Sequence, residues 1–358
     1  MRKIPVGILG ATGMVGQRFV TLLESHPWFE VVILAASPRS SGKTYQKAVG
    51  ENWRIDVPMP AYAKKMKVYA VENDMPLISQ KVRLVFCALD MEKEEIKALE
   101  NAYAKAGVAV VSNNSAHRWT VDVPMIIPEI NPGHTDLIKV QRKRRGWDKG
   151  LIVVKPNCSV QSYIPIIYAL SEFGPTQVEV TTLQAISGAG KTFTSWPEML
   201  DNAIPFISGE EEKTEKEPLK ILGTVTKEDV ESKKGIQISA TCIRVAVSDG
   251  HMVSVAVKFR KKPTLRQIVR AIKNYKNPIA DLGLPSAPNP FIHYFSEDNR
   301  PQTNMDRNIG NGMAISCGRF REDPIFDWKF VSLSHNTIRG AAGGAILTAE
   351  LLLAKKLI

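Results

Sequence analysis

Val6-Gly7-Ile8-Leu9-Gly10-Ala11-Thr12-Gly13-Met14-Val15-Gly16 is a short apolar run that breaks into a glycine turn and leads into a helical pattern from Gln17 to Ser25. Strand, glycine turn and helix in that order make a dinucleotide-binding unit. Glycines allow the tight turn and let the backbone approach a pyrophosphate, which the free N–H groups and dipole of the helix N-terminus then bind. A GxxGxxG spacing by itself also suits a purely structural turn, and its place directly after the first strand is what favours a ligand. Gly10, Thr12, Gly13, Met14 and Val15 are the expected cofactor contacts.

The next apolar run, Glu30 to Ala36, reads as a second strand. A protein specific for NAD usually ends that strand in Asp or Glu, on the ribose 2′-hydroxyl. Here it ends in Ser37-Pro38-Arg39-Ser40-Ser41-Gly42-Lys43. Ser37, Arg39 and Ser40 suit a 2′-phosphate, so NADP is favoured over NAD, with an ordinary polar loop as the plainer reading. A strand at Leu84 to Leu89, a charged helix from Glu92 to Ala106 and a strand at Val108 to Val111 continue the alternation. That pattern predicts an α/β fold with a Rossmann-type, doubly wound parallel sheet and right-handed crossovers. Ligands bind beyond the carboxyl ends of such strands, which points to Ala88 and Leu89 and to the loop Ser112 to Arg118.

Leu151-Ile152-Val153-Val154 reads as a buried strand, and the apolar segment Val160 to Leu170 follows Lys155-Pro156-Asn157-Cys158-Ser159. Cys158 therefore sits at a strand-to-helix turn, where the helix N-terminus favours a thiolate and lowers the thiol's usual pKa of about 8.5. A small buried cysteine is the plainer alternative. Pro165 is tolerable there in a first turn or at a kink.

Beyond Val178 the β-type runs lengthen, at Val178 to Ser187, Ile236 to Val247 and Met252 to Phe259, and alternate less with helices. They predict a second, α+β domain around a mostly antiparallel sheet, of the kind that carries catalysis and dimerisation. Gly209 to Glu217 reads as a solvated, charged helix start. The alanine-rich segment after His335 reads as a helix that packs back on the first domain. The expected division is residues 1–155 for the NADP-binding domain, completed by the helix at 337–358, and residues 156–336 for the catalytic and dimerisation domain.

With 358 residues and 44% hydrophobic content, the chain has enough apolar surface for two cores. No apolar run approaches the roughly 18 residues that span a bilayer, so a soluble, cytoplasmic protein without membrane partners is expected. Cys87, Cys158, Cys242 and Cys317 lie far apart without a CxxC pair, which argues against a metal site or a disulfide framework. The net charge of +11 raises nucleic acid as a partner. Its one dense cluster, Gln141-Arg142-Lys143-Arg144-Arg145-Gly146-Trp147, accompanies no recognised nucleic-acid motif and reads as a solvated helix end. Anionic small substrates explain the basicity equally well.

Gly10-Ala11-Thr12-Gly13, Pro156-Asn157-Cys158-Ser159, Gln184-Ala185-Ile186-Ser187-Gly188-Ala189-Gly190, Glu210 with Lys213, Arg244 with His251, and Asn336 follow one another in an order that resembles aspartate-semialdehyde dehydrogenases. The Gln141 to Trp147 stretch and the ending His335-Asn336-Thr337-Ile338-Arg339-Gly340-Ala341-Ala342-Gly343-Gly344 are similar to the archaeal and fungal branch. The resemblance covers nearly the whole chain. It implies reversible, NADPH-dependent reduction of L-aspartyl 4-phosphate to L-aspartate 4-semialdehyde, on the route to lysine, threonine and methionine, by a homodimer or homotetramer. It further implies Cys158 as nucleophile and His251 as acid/base. Arg244 would hold the substrate carboxylate, Glu210 the ammonium group, and Lys213 with Arg118 the phosphate. Asn157 and Gln184 would orient the carbonyl, while Ser187, Gly188 and Asn336 would approach the nicotinamide. An archaeal-type malonyl-CoA reductase is similar over the same length. A cysteine hydrolase would leave the glycine turn and the Arg39 loop unexplained, and a nucleic-acid binder would use the basic cluster instead.

Overall fold

The computed structural model describes residues 2–358. The N-terminal apolar runs form β1 (Ile4–Leu9), β2 (Phe29–Ala36), β3 (Val68–Ala70), β4 (Leu84–Cys87), β5 (Ala109–Ser112) and β6 (Leu151–Val154). β4, β5 and β6 are buried along their whole length, as strands of a parallel sheet covered on both faces must be. All six pair in parallel in the order β3-β2-β1-β4-β5-β6. The order reverses between β1 and β4, so the crevice outside their carboxyl ends is the expected ligand position.

The helix after the glycine turn spans Met14–Leu22, three residues earlier at each end than the pattern suggests. Gly13 is extended at its N-cap, so Met14 and Val15 form the first turn instead of lying in the loop. Ala88 and Leu89 leave the sheet, since β4 stops at Cys87. Helix Lys93–Lys105 begins with a capping box in which Glu92 and Glu95 satisfy each other's backbone N–H groups.

That helix also turns one carboxylate inward. Glu100 is fully buried against Ser112, whose hydroxyl donates to it at 2.5 Å, while its second oxygen has no partner. Burial pushes the Glu100 carboxyl up to about 7. A raised folded pKa means that the native state holds the proton more tightly than the unfolded chain. The associated stability is therefore present below about pH 4.5 and is lost as pH rises through about 7. At about 1.4 kcal/mol per pKa unit the full loss approaches about 3 kcal/mol. Glu100→Gln, which cannot ionise, should be close to neutral at pH 5 and raise Tm above that of the parent chain at pH 8. Thermal melts at both values check this.

The second sheet contains β7 (Pro175–Gln184), β8 (Ala203–Ile204), β11 (Gln237–Val245), β12 (His251–Phe259), β13 (Ile292–Tyr294), β14 (Ile315–Glu322) and β15 (Trp328–Ser334). β9 (Thr224–Val225) and β10 (Val230–Glu231) make a small separate ribbon. The order is β13-β14-β15-β12-β7-β11-β8. Most of its pairings are antiparallel, as expected, but the sheet is mixed: β13 runs parallel to β14, and β7 runs parallel to β11 from Gln177↔Gln237 to Gln184↔Arg244. Parallel neighbours need a long crossover, and here it contains helix Glu210–Ile221. This helix is not simply solvated: Glu210, Thr214, Glu217, Lys220 and Ile221 are buried on one face.

Helices Val160–Ala169 and Leu265–Lys273 cover one face of the second sheet through Ile164, Ile167, Ile268 and Ile272. The opposite face, with Glu179, Thr181, Leu183, Ser239, Thr241 and Ser254, has no covering layer and is half-buried to exposed. Pro165 falls in the interior of its helix, where its missing N–H removes the bond to the Gln161 carbonyl. After β15 the chain returns to the first domain. Residues Ile338–Ala342 are π-helical, and helix Gly343–Ala354 packs among Ile8, Phe19 and Phe86. Its residues are apolar nearly all round, as befits a helix buried from Gly343 to Leu352.

The basic cluster ends helix Leu137–Arg145, and two of its arginines are used internally. Arg145 makes a two-point contact with Asp122 at 2.6 Å and stacks on Trp147, while Arg142 donates to the carbonyls of Gly150 and Leu357. No helix among the described residues is long and apolar enough to cross a membrane.

Candidate active site

Cys158 lies half-buried at the turn between β6 and helix Val160–Ala169. Its Sγ is 3.3 Å from Nε2 of His251, the first residue of β12. The Ala185 backbone N–H donates to the other ring nitrogen, Nδ1, at 3.1 Å. Neutral imidazole has one protonated nitrogen, so this network assigns the proton to Nε2, facing sulfur.

Burial, with Glu210 second, pushes the Cys158 thiol up to about 12, against the opposing pull of Arg118, Arg244 and Lys213. Burial and the Arg244 charge bring His251 down to about 3. The pair therefore rests as thiol and imidazole, which corrects the expectation of an ionised cysteine. Activation must come when substrate arrives.

Helix Glu210–Ile221 cradles the turn with one stripe of side chains. Both carboxylate oxygens of Glu210 accept from Asn157 Nδ2, at 3.0 and 2.9 Å, and Lys213 donates to the same carboxylate at 2.9 Å. Gln184 Nε2 reaches the same carboxylate at 3.3 Å. Thr214 meets the Ser159 hydroxyl at 3.1 Å. Glu217, fully buried, accepts the Asn157 backbone N–H at 2.6 Å and Arg118 Nη1 at 2.8 Å. Lys220 donates to the Arg118 and Val123 carbonyls. Thr214, Glu217 and Lys220 were not singled out from the sequence. Steps of three or four residues, from Glu210 to Thr214, Glu217 and Lys220, put them on one helix face and are the available signal.

Arg118 is brought to the turn but is tightly held, since Nε also donates to the Lys155 carbonyl and Nη2 to that of Asn113. Three of its five N–H groups are engaged, leaving two for an anion. Arg244 donates from Nη1 to the Ala185 carbonyl at 2.8 Å. Ala185 thus orients both Arg244 and His251 through one peptide on each side. Gly188 closes against the same pair: a Cβ there would fall 2.7 Å from Arg244 Nη1 and 3.0 Å from the His251 ring. Asn336 accepts the Gly250 N–H and donates to Ser187 Oγ, both at 2.8 Å. Ser187, Gly188 and Asn336 therefore stand around His251.

The crevice at the β1/β4 switch point is a cavity of about 530 Å³ lined by Gly10, Thr12, Gly13, Ser37, Arg39, Ala88 and Leu89. Met14, Val15 and Ser40 are outside its lining, as helix first turn and loop flank. Gly10 has a left-handed backbone, and a Cβ there would fall 2.2 Å from the Ala88 carbonyl oxygen. At Gly13 the nearest atom would be 3.5 Å away, so that position is open to a ligand. A glycine cradle, a helix N-terminus and a cation at the end of β2 fit a dinucleotide bearing a 2′-phosphate.

Fold and site together define a nucleotide-binding oxidoreductase with a cysteine and a histidine at the seam of its two sheets. Residues 5–138 match the family model for the semialdehyde dehydrogenase NAD-binding domain, and residues 165–339 match that for the semialdehyde dehydrogenase dimerisation domain. The chain belongs to the aspartate-semialdehyde dehydrogenase family. It is 43% identical to the aspartate-semialdehyde dehydrogenase of Archaeoglobus fulgidus, over 99% of this chain and all of the relative, and 44% identical to that of Schizosaccharomyces pombe over 99% of each. Among solved structures, the aspartate-semialdehyde dehydrogenase of Candida albicans with NADP superposes with a TM-score of 0.89 at 38% identity, over 99% of this chain and 100% of that one.

Proposed function

We propose that this chain catalyses the reversible reductive dephosphorylation of L-aspartyl 4-phosphate to L-aspartate 4-semialdehyde, with NADPH as the reductant. The observation that carries this reading is the 3.3 Å contact between Cys158 and His251 beside a cation, Arg244, and a carboxylate, Glu210, of the signs the substrate requires. Arg244 meets the α-carboxylate, Glu210 the ammonium group, and Lys213 with the two open donors of Arg118 meets the phosphate. The malonyl-CoA reductase alternative is not favoured by the relatives.

Sγ attacks the acyl carbon and phosphate departs, leaving a thioester on Cys158. The departing acyl phosphate dianion needs one proton to leave as hydrogen phosphate, and the thiol has one to lose. His251 Nε2 relays it, giving its own proton to the leaving oxygen and taking that of sulfur. NADPH, when bound in the cavity of the first domain, supplies the hydride that reduces the thioester carbonyl. Collapse of the resulting thiohemiacetal anion releases the aldehyde, and His251 returns a proton to sulfur before regaining one from solvent. Gly10, Thr12, Gly13, Ser37, Arg39, Ala88 and Leu89 would hold the nucleotide, with Arg39 on its 2′-phosphate.

Residues 1–155 with the terminal helix serve as the nucleotide domain and 156–336 as the catalytic domain. The uncovered face of the second sheet, within the segment that matches a dimerisation domain, is the surface through which two copies would pair. We assign the enzyme to the cytoplasm and no role to nucleic acid, since the Arg142 and Arg145 guanidinium groups are turned to internal partners. The test is the reverse assay. With aspartate semialdehyde and NADP, turnover should require inorganic phosphate, and CoA should not replace it. Equal rates with CoA would refute this substrate assignment.

A further inference from the structure

Arg54 is used by none of the steps above, yet it lines the nucleotide cavity together with Gly13 and Arg39. Its backbone is fixed to the glycine turn by Gln17, a buried side chain on the first helix. Gln17 Oε1 accepts the Arg54 N–H at 2.7 Å, and Gln17 Nε2 donates to the carbonyls of Thr12 and Asn52 at 2.9 and 2.8 Å. The Arg54 guanidinium then crosses to the other domain, where Nη1 donates to the carbonyl oxygen of Gly190. Gly190 ends the short helix Ile186–Ala189, whose Gly188 packs on Arg244 and His251. Among the described residues no carboxylate lies within 4 Å of Arg54, so its charge is uncompensated by protein.

We propose that Arg54 is a nucleotide-binding residue that contacts the diphosphate of the cofactor and, through Gly190, holds the Ser187–Gly190 turn against the catalytic pair. This inference rests on the assignment of the cavity to NADP. The diphosphate is preferred to the 2′-phosphate because Gln17 anchors Arg54 to the glycine turn at the helix N-terminus, the diphosphate position, whereas Arg39 stands at the end of β2, where the ribose lies. A guanidinium has five N–H donors in a planar fork, so one can stay on Gly190 while others take phosphate oxygens. Binding of the nucleotide would thus fix the lip between cavity and cysteine. Arg54 acts on the chemistry as a positioning residue.

The test compares the full-length parent chain with Arg54→Ala, Arg54→Lys and Arg39→Ala. Kd is measured for NADPH and NADH by fluorescence titration, and the rate of Cys158 alkylation by iodoacetamide is measured with and without saturating NADP. Loss of a charge-assisted contact corresponds to about tenfold weaker binding or more. Arg54→Ala should weaken both nucleotides by that factor and leave their ratio unchanged, while Arg39→Ala lowers the preference for NADPH. NADP should change the alkylation rate in the parent chain and leave it unchanged in Arg54→Ala even at saturation. Arg54→Lys should recover part of the affinity. Parental Kd values in Arg54→Ala, or weakening confined to NADPH, would overturn the proposal while the cavity assignment stands. A parent chain that binds neither nucleotide overturns both.

Discussion

Cys158→Ala should lower phosphate-dependent turnover by at least about four orders of magnitude, the scale seen when a covalent nucleophile is deleted, with NADPH affinity within about twofold of the parent chain. The two effects separate under the proposed mechanism, in which sulfur acts on the acyl carbon, whereas the nucleotide cavity is built mainly from the loops after β1, β2 and β4. Both are read directly, the first from initial rates and the second from a fluorescence titration. A variant that keeps the parental rate would remove the thioester from the mechanism.

Arg244→Ala should raise KM for aspartate semialdehyde about a hundredfold and leave KM for NADP nearly unchanged. A guanidinium on a carboxylate contributes about 3 kcal/mol through its paired, charge-assisted bonds, which is that factor in affinity. Unlike an exposed strand arginine, Arg244 is buried, with Nη1 on the Ala185 carbonyl and Gly188 against it. kcat should fall as well, because Ala185 also orients His251. Arg244→Lys keeps the charge but not the fork, and should restore less than a tenth of the lost affinity. Steady-state kinetics with each substrate varied in turn check the split, and an equal rise in both KM values would contradict the assignment.

The glycine turn, the cysteine turn and the strand-end loops were legible because each is set by local backbone chemistry. Gly10 admits no side chain, and a β-branched run followed by Lys155 to Ser159 marks a strand giving way to a helix. Pairing direction was legible for most strands, and β7 with β11 is an exception. β7 and β11 are parallel because of a crossover whose charged sequence, Gly209 to Glu217, suggests a solvated surface. Its burial depends on partners distant in sequence: Glu217 meets Arg118 across 99 positions. Arg54 and Gly190 are 136 positions apart, and nothing local to either announces the contact. The upward push on the Cys158 thiol is hidden in the sequence for the same reason, since burial and the Glu210 charge are properties of the assembled fold.

The proposed mechanism turns on a covalent step at Cys158. Mixing the chain with aspartate semialdehyde and NADP in the absence of phosphate should give a rapid burst of NADPH of one equivalent per chain, then a stop. Mass spectrometry of the quenched protein should place an aspartyl group on the peptide containing Cys158, and added phosphate should release it and restart turnover. No burst, or an acyl group found elsewhere, would contradict a thioester on this cysteine.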